Sequence, residues 1–430
     1  MNGNILEIKN LIIKEIDNKR VRLQADIICP KMTKELYFEV DSIYKEYLCT
    51  EVIDAFVFGI YYYASFNGYD IYSEIPVSRR IKYQINQYFS PISNKINPYH
   101  YKKIKLICPA TEIEFNPNGV GASVSGGVDS FYSLLSHYKK NKDVEVSHVL
   151  VANLFNNYNK EEYINREKFN KLIFNSSLIA EDLKLPVISM YTNHHEFFFP
   201  EFVEYYSFRI CSYALAMQKL FKAYLLSSGT MTQDSNFFSP DSSDYDLFNT
   251  QIASNNNITF YMSGGEAGRI EKINFISDYS VVKKYLHVCT FSEKSNCSVC
   301  GKCMRTAAAL DMHGKLLQYD GIFDLEKYQK QKNKYWASVY ASLNDECYGT
   351  LNTEYVNEAH KIGYKIPLTS KAYGLILIRP YLKLKGILKK SSLLKKAYYK
   401  FNVDYLLYGK NKAELYRYSN GINPTENDRV

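Results

Sequence analysis

Beyond Gly119, short apolar runs alternate with longer, helix-length patterns: Val120–Val124 then Ser130–Tyr138, Val146–Ala152 then Asn165–Leu183, Val187–Tyr191 then Phe208–Phe221, and finally Ala223–Ser227. Strand-length runs separated by crossover helices predict an α/β fold, a doubly wound parallel sheet. In such a sheet ligands bind beyond the carboxyl ends of the strands, where a strand feeds its loop into a helix. The segment at that place after the first strand is Ser125-Gly126-Gly127-Val128-Asp129-Ser130.

The chemistry of that turn suits a nucleotide. Gly126 and Gly127 permit positive φ and leave no side chain between the backbone N–H groups and an approaching pyrophosphate, so successive amides can form an anion-binding nest. Ser125 and Ser130 add hydroxyl donors, and the helix that Ser130 opens turns the positive end of its dipole to the phosphates. Asp129 is a poor phosphate ligand and fits better as a residue that holds Mg²⁺ or orients the loop. A plain strand-to-helix turn also uses glycine. Walker-type binding is disfavoured, because no Gly-Lys-Ser/Thr follows. Ser263-Gly264-Gly265 repeats the first three residues but continues as Glu266-Ala267, and reads as a loop.

A second constellation lies at Cys289, Cys297, Cys300 and Cys303. Thiolates two residues apart can turn back onto one ion, and four of them complete a closed, tetrahedral Zn²⁺ site. Gly301 helps the knuckle bend, and Lys294, Lys302 and Arg305 offset the negative charge. Iron–sulfur ligation and unmetallated thiols are the alternatives. Nine cysteines, odd in number and three of them crowded together, do not read as a secreted disulfide framework. Cys29, Cys49, Cys108, Cys211 and Cys347 read as ordinary buried thiols.

Ser125 to Ser130 is similar to the Ser-Gly-Gly-x-Asp-Ser signature of N-type ATP pyrophosphatases, the PP-loop superfamily with an adenine nucleotide alpha hydrolase-like fold. Joined to Cys289, the Cys297-x-x-Cys300-x-x-Cys303 knuckle and the helix carrying Arg305, it resembles 7-cyano-7-deazaguanine synthase over roughly Gly119–Gly314, about half the chain. The resemblance implies ATP and Mg²⁺ at Ser125, Gly126, Gly127, Val128, Asp129 and Ser130, with Asp129 and Ser130 catalytic. It implies structural Zn²⁺ on the four cysteines. It also implies attack of a carboxylate or carbonyl oxygen on the α-phosphorus, release of pyrophosphate, and replacement of AMP by ammonia or an amine. Where those synthases carry a Tyr-Pro-Asp-Cys-Arg-like segment after Gly-x-x-x-x-Asp, this chain has Gly229–Asp234 and then Ser239-Pro240-Asp241-Ser242-Ser243-Asp244.

The rest of the 430 residues, 46% hydrophobic, leaves material for two further regions. Val21, Leu23, Ala25 and Ile27 alternate as a half-buried strand should, Leu36–Val40 repeats the period, and a helix-length apolar run follows at Val52–Ala64. A second helix near Ser78–Tyr88 and a strand at Ile104–Cys108 complete an α+β N-terminal domain at 1–116. The nucleotide domain is expected at 117–318 and a helical, basic region at 319–430, with a basic amphipathic pattern at Leu382–Tyr398. That pattern reads first as a surface helix with solvated lysines, and second as a contact for an anionic membrane or nucleic acid. The net charge of +8 attracts phosphates without requiring nucleic acid.

No signal peptide or membrane-spanning run is evident, so a cytoplasmic protein is expected. The acceptor is expected to be a small molecule or a protein terminus, and a homo-oligomer is compatible. His194-His195-Glu196 after the third strand could bind metal or shuttle protons. Arg209, Arg269, Glu271 and Lys272 could hold a carboxylate or phosphate. For each, exposed loop or surface charge is the plainer reading. Two other functions compete: sulfur transfer to a nucleobase or tRNA, with Cys211 or another isolated thiol as carrier, and a non-catalytic module that binds a protein partner.

Overall fold

The computed structural model describes residues 4–153, 166–197, 202–239, 241–289, 291–292, 295–345 and 349–383. Cys347, Lys294, Pro240, Asn165 and the basic pattern beyond Lys383 lie outside them. The chain forms two compact units, Met1–Ala267 and Gly268–Val430. The boundaries expected at 116/117 and 318/319 each fall inside one of these units.

The first unit begins with three long strands, β1 (Ile5–Glu15), β2 (Arg20–Cys29) and β3 (Met32–Asp41), and then α1 (Asp54–Asn67). Short pieces follow: β4 (Asp70–Tyr72), β5 (Val77–Ser78), α2 (Arg79–Gln84), α3 (Ser90–Ile96), β6 (Leu106–Ile107) and β7 (Ala110–Thr111). Next come β8 (Gly119–Ala122), α4 (Val128–His137), β9 (His148–Ala152), α5 (Arg166–Asp182), β10 (Val187–Thr192) and α6 (Phe202–Ala216). The unit closes with β11 (Phe221–Ser227), α7 (Asp246–Ala253) and β12 (Thr259–Ser263).

Among the described residues ten strands form one mixed, mostly parallel sheet in the order β12-β11-β8-β9-β10-β3-β2-β1-β4-β6. From β12 to β10 every pair is parallel. The N-terminal strands are therefore an extension of the same sheet. Only Tyr191↔Glu39 and Thr192↔Phe38 pair β10 with β3, and side chains reinforce the seam. Asn193 accepts the Tyr37 N–H at 3.0 Å and donates to the Glu35 carbonyl at 2.7 Å, while Arg20 donates to Ser189 Oγ at 2.9 Å.

Side chains alternate across the sheet, and both faces are covered. Phe38, Leu150, Met190, Tyr224 and Phe260 share one buried cluster with α1, α6 and α7. There Phe208 of α6 stacks on Phe89 at 4.3 Å and meets Phe58 of α1 at 4.6 Å between ring centroids. Val149 and Val151 point the opposite way and are also buried, with α5 packed on β9 and α4 on β11. The buried Asp54 carboxylate at the start of α1 ties distant segments together. It accepts from the Ser78 N–H at 2.8 Å, Asn255 Nδ2 at 2.9 Å and the Ser78 hydroxyl. Burial alone raises its pKa, and those donors offset part of the cost.

The second unit is helical: α8 (Arg269–Ile276), α9 (Ser280–Tyr285), α10 (Gly301–Met312), α11 (Leu325–Ala341), α12 (Gly349–Lys361) and α13 (Leu368–Tyr373), the last continuing as a π-turn at Gly374–Ile378. Tyr319, Tyr328, Trp336 and Tyr355 fill its core. Gly374 lies against α11 so closely that a Cβ there would sit 2.2 Å from the Ala337 carbonyl oxygen. No helix among the described residues is long and apolar enough to cross a membrane.

Candidate functional site

The turn at Ser125–Ser130 leaves the carboxyl end of β8, which lies between β9 and β11. Two glycines let β11 come close to this strand: a Cβ on Gly121 would lie 2.7 Å from the Tyr224 ring, and one on Gly119 2.8 Å from the Leu220 carbonyl oxygen. After the strand, Gly126 takes φ of 81°, the left-handed region that L-residues avoid. Gly127 then caps α4 in an extended conformation, and its carbonyl accepts the Phe131 N–H at 3.0 Å.

Ser130 is buried and holds the turn together. Its hydroxyl donates to the Gly127 carbonyl at 3.1 Å and accepts the Ser125 N–H at 3.2 Å, and it lies 3.2 Å from Ser125 Oγ. Among the described residues none accepts the N–H groups of Gly126, Gly127 or Val128. They lie at a helix start, a place that favours anions in general. Ser130, expected at the ligand, is engaged within the turn here, and Ser125 is the more exposed hydroxyl.

Asp129 faces the loop after β11, where a Cβ on Gly229 would lie 4.0 Å from Asp129 Oδ2. Around it the ends of β11 and β12 bring Ser227, which sequence reasoning did not single out, and Ser263, which it read only as part of a loop. Ser227 and Ser263 are register partners on these parallel strands, so their side chains share a face. Both hydroxyls are buried, with no hydrogen-bond partner among the described residues. The loop at Ser263-Gly264-Gly265 thus stands at the same sheet end as the turn it resembles, and Tyr132 of α4 donates to Glu266 beyond it at 2.8 Å. Such groups are found only by knowing strand register.

The segment after β11 adds carboxylates. Asp244 accepts from the Thr230 hydroxyl at 2.9 Å, and Asp241 accepts the Ser243 N–H at 3.0 Å. Asp246 is buried beside Ser207 and Asn249, and burial pushes its pKa up to about 8. Burial, with Asp246, Tyr224 and Asp129 nearby, raises the Tyr206 hydroxyl as well. Phe238, Tyr245 and Phe248 of this segment, with Tyr62, Tyr101 and Glu204, line an open cavity of ≈ 110 Å³.

The other candidates diverge. His194 is buried edge-on against Phe38, with Nδ1 2.7 Å from the Thr192 hydroxyl. Burial holds its pKa well below the ordinary value. Glu196 points away to Lys34 at 2.9 Å, so the His-His-Glu run does not converge on one ion. Arg209 is buried, donating to Tyr205 at 2.9 Å and Tyr213 at 3.2 Å. Burial also drives the Cys211 thiol well above its usual range.

In the second unit, Glu354 accepts the Ile270 N–H at 2.8 Å at the start of α8. Lys272 is buried there, whereas Glu271 is exposed. Arg269 and Lys272 lie close enough to Glu354 to oppose the rise that burial imposes on its carboxyl.

The same unit holds the cysteine cluster. The four Sγ atoms of Cys289, Cys297, Cys300 and Cys303 lie within 4.8 Å of one another, and Cys297 and Cys303 are 3.9 Å apart. Tetrahedral thiolates about 2.3 Å from zinc would be spaced about 3.8 Å apart. The backbone is shaped for this. Ser298 takes φ of 61°, the Cys300 N–H points at Cys297 Sγ at 3.3 Å, and the Cys303 N–H at Cys300 Sγ at 3.5 Å. Asn296 fixes the approach of the first ligand by accepting the Val288 N–H at 2.8 Å and the Cys289 N–H at 3.2 Å. Hydrogen bonds from Cys297, Cys300 and Cys303 lower the Cys289 thiol, while contacts with Cys289, Cys297 and Cys300 raise Cys303. Four thiolates this close need a cation, and the cluster could hold a metal such as zinc.

No protein-family model, curated protein or solved structure matches this chain.

Proposed function

We propose that this protein is an ATP-dependent adenylating enzyme of the ATP pyrophosphatase type, built on a doubly wound sheet. Within that class we read it as 7-cyano-7-deazaguanine synthase-like. It would activate a carboxylate or carbonyl oxygen as an AMP derivative, release pyrophosphate and join ammonia or an amine. The observation that carries the reading is the Gly126–Val128 set of amides at the end of β8. In chain order the five parallel strands run 5-4-1-2-3, so the turn sits where the order reverses, the place such sheets use for ligands.

In this reading Gly126, Gly127 and Val128 N–H groups hold the phosphates, and Asp129 holds Mg²⁺ opposite Gly229. Fixed dipoles would stabilise charge developing on the departing pyrophosphate. The unpartnered hydroxyls of Ser227 and Ser263 supply further donors beside the turn. The cavity bounded by Glu204 and Tyr245 is the proposed acceptor pocket. Zinc on the four cysteines is structural, because all the ligand positions are filled by thiolates. A single tetrahedral ion fits their spacing better than a cluster inserted between them.

Sulfur transfer is the weaker reading. Cys211, its proposed carrier, is buried with a raised pKa, the opposite of a reactive thiolate. A partner-binding module would leave unexplained the Gly126–Val128 amides, which no described residue accepts.

The test is to incubate the protein with ATP, Mg²⁺ and a panel of carboxylates, amines and cell extract, following pyrophosphate release. Wild type should release pyrophosphate and Asp129→Ala should not. Equal behaviour of the two, with no ATP binding by either, would sink the proposal.

A further inference from the structure

A surface helix of a water-soluble unit normally buries its apolar face and shows water its charges. The last described helix of the second unit also shows water an apolar ridge. Along residues 368–383 the fully buried positions are Ser370 and Gly374, the glycine seated on the Ala337 carbonyl of α11, while Leu375, Ile378, Tyr381 and Leu382 are half-buried. The large apolar side chains that face outward are Leu368, Tyr373, Ile376 and Leu377, exposed by 82%, 47%, 69% and 57%. The backbone supports this outward ridge. Pro380 cannot donate to Ile376, and the Arg379 N–H reaches back to Gly374 in a π-turn, which rotates Ile376 and Leu377 together onto the exposed side.

Charge says what this ridge fits. Lys365, Lys371 and Lys383 flank it and are exposed. Between Glu358 and Asp404 the sequence holds eleven Lys or Arg residues and no Asp or Glu. Exposed leucine and isoleucine bordered by lysine match a bilayer surface, where apolar side chains enter the acyl boundary while lysines meet anionic headgroups. A nucleic acid would use the lysines and leave the apolar ridge in water. We infer that the Leu368–Lys383 helix is a peripheral docking surface for an anionic lipid bilayer. The helix lies on such a surface, in keeping with the lack of a crossing span among the described residues.

The test uses the full chain in flotation with vesicles of phosphatidylcholine alone or with roughly 30% phosphatidylglycerol. The wild type should float with the anionic vesicles only, and less so as salt rises. Ile376→Asp/Leu377→Asp should weaken partitioning by about tenfold or more with the thermal midpoint retained, since both side chains are exposed. Lys371→Glu/Lys383→Glu should abolish the preference for phosphatidylglycerol. Three results overturn the inference: no flotation, flotation indifferent to Ile376 and Leu377, or loss of a self-associated form in the Ile376/Leu377 variant without any lipid binding. Binding of a duplex RNA that the apolar variant leaves intact, without vesicle binding, also overturns it.

Discussion

Replacing Gly126 by Ala asks whether the turn is shaped for its ligand. At φ of 81° an L-residue costs about 1–2 kcal/mol. The turn can escape that cost only by relaxing φ, which swings the Gly126 and Gly127 amides apart. The surrounding bonds from the Ser125 N–H to Ser130 and from the Phe131 N–H to Gly127 keep strand and helix in place. Relaxation is therefore local, and the fold keeps nearly its full stability. Binding ATP must then restore the strained form, so the cost falls on affinity, about 5–30-fold in Kd. Gly363→Ala is the control. It also has positive φ, 70°, with nothing within 4 Å of the added Cβ, so it should lower the thermal midpoint slightly and leave ATP binding unchanged. Isothermal titration with ATP and Mg²⁺, paired with thermal denaturation, reads both. A Gly126→Ala variant with Kd within about twofold of wild type would refute the reasoning, because the amides would then have no part in binding.

Cys300→Ser should lose stoichiometric metal by elemental analysis and unfold at lower temperature, since that sulfur both joins the cluster and caps α10 through the Cys303 N–H; unchanged metal content would count against the site. Asp129→Asn should reduce pyrophosphate release on the order of a hundredfold while the thermal midpoint holds, and a normal rate would remove Asp129 from the chemistry. Chelating Mg²⁺ should weaken ATP binding by at least about tenfold, measured by titration in EDTA. His194 stays neutral in the fold, so only the unfolded chain takes up its proton near the ordinary histidine value of 6.5. Stability from this site is thus full above that pH and falls as pH drops below it. In thermal melts from about pH 7.5 to about pH 5, His194→Asn should show a shallower loss than wild type, and identical slopes would mean that this histidine contributes nothing.

The strand-helix alternation after Gly119 was readable because each strand is a short apolar run, and β8 to β11 fall close to the expected positions. β12 escaped notice because Asn255-Asn256-Asn257 ahead of it reads as a loop and Tyr261 within it is exposed. The attachment of the N-terminal strands was invisible for another reason. Two backbone pairs and the side chains of Arg20 and Asn193 make the seam, and polar residues spread over that sequence distance look like ordinary surface. His194 and Glu196 show the same limit from the other side. Two residues apart in sequence, they leave the backbone in different directions, one into the core and one to Lys34. The four cysteines were legible because a knuckle is local, so spacing alone brings Cys297, Cys300 and Cys303 together.

Charge around the turn bears on how phosphates could be held there. From Ala223 to Gly268 the sequence contains Asp234, Asp241, Asp244, Asp246 and Glu266 but no Lys or Arg. This stretch supplies the ends of β11 and β12 and the loop that carries Asp244, so it brings acids and no bases to that sheet end, in a chain whose net charge is +8. A triphosphate brought into that field is repelled unless something offsets it. Backbone amides supply partial charge only, and burial that keeps Asp246 protonated up to about pH 8 removes one of the five negatives. In the proposed reading a divalent cation between Asp129 and the phosphates would offset the remainder. In the proposed reading the metal complex of ATP would be admitted over free ATP or inorganic phosphate, and Glu204, the one carboxylate in the lining of the proposed acceptor cavity, would attract a cationic amine.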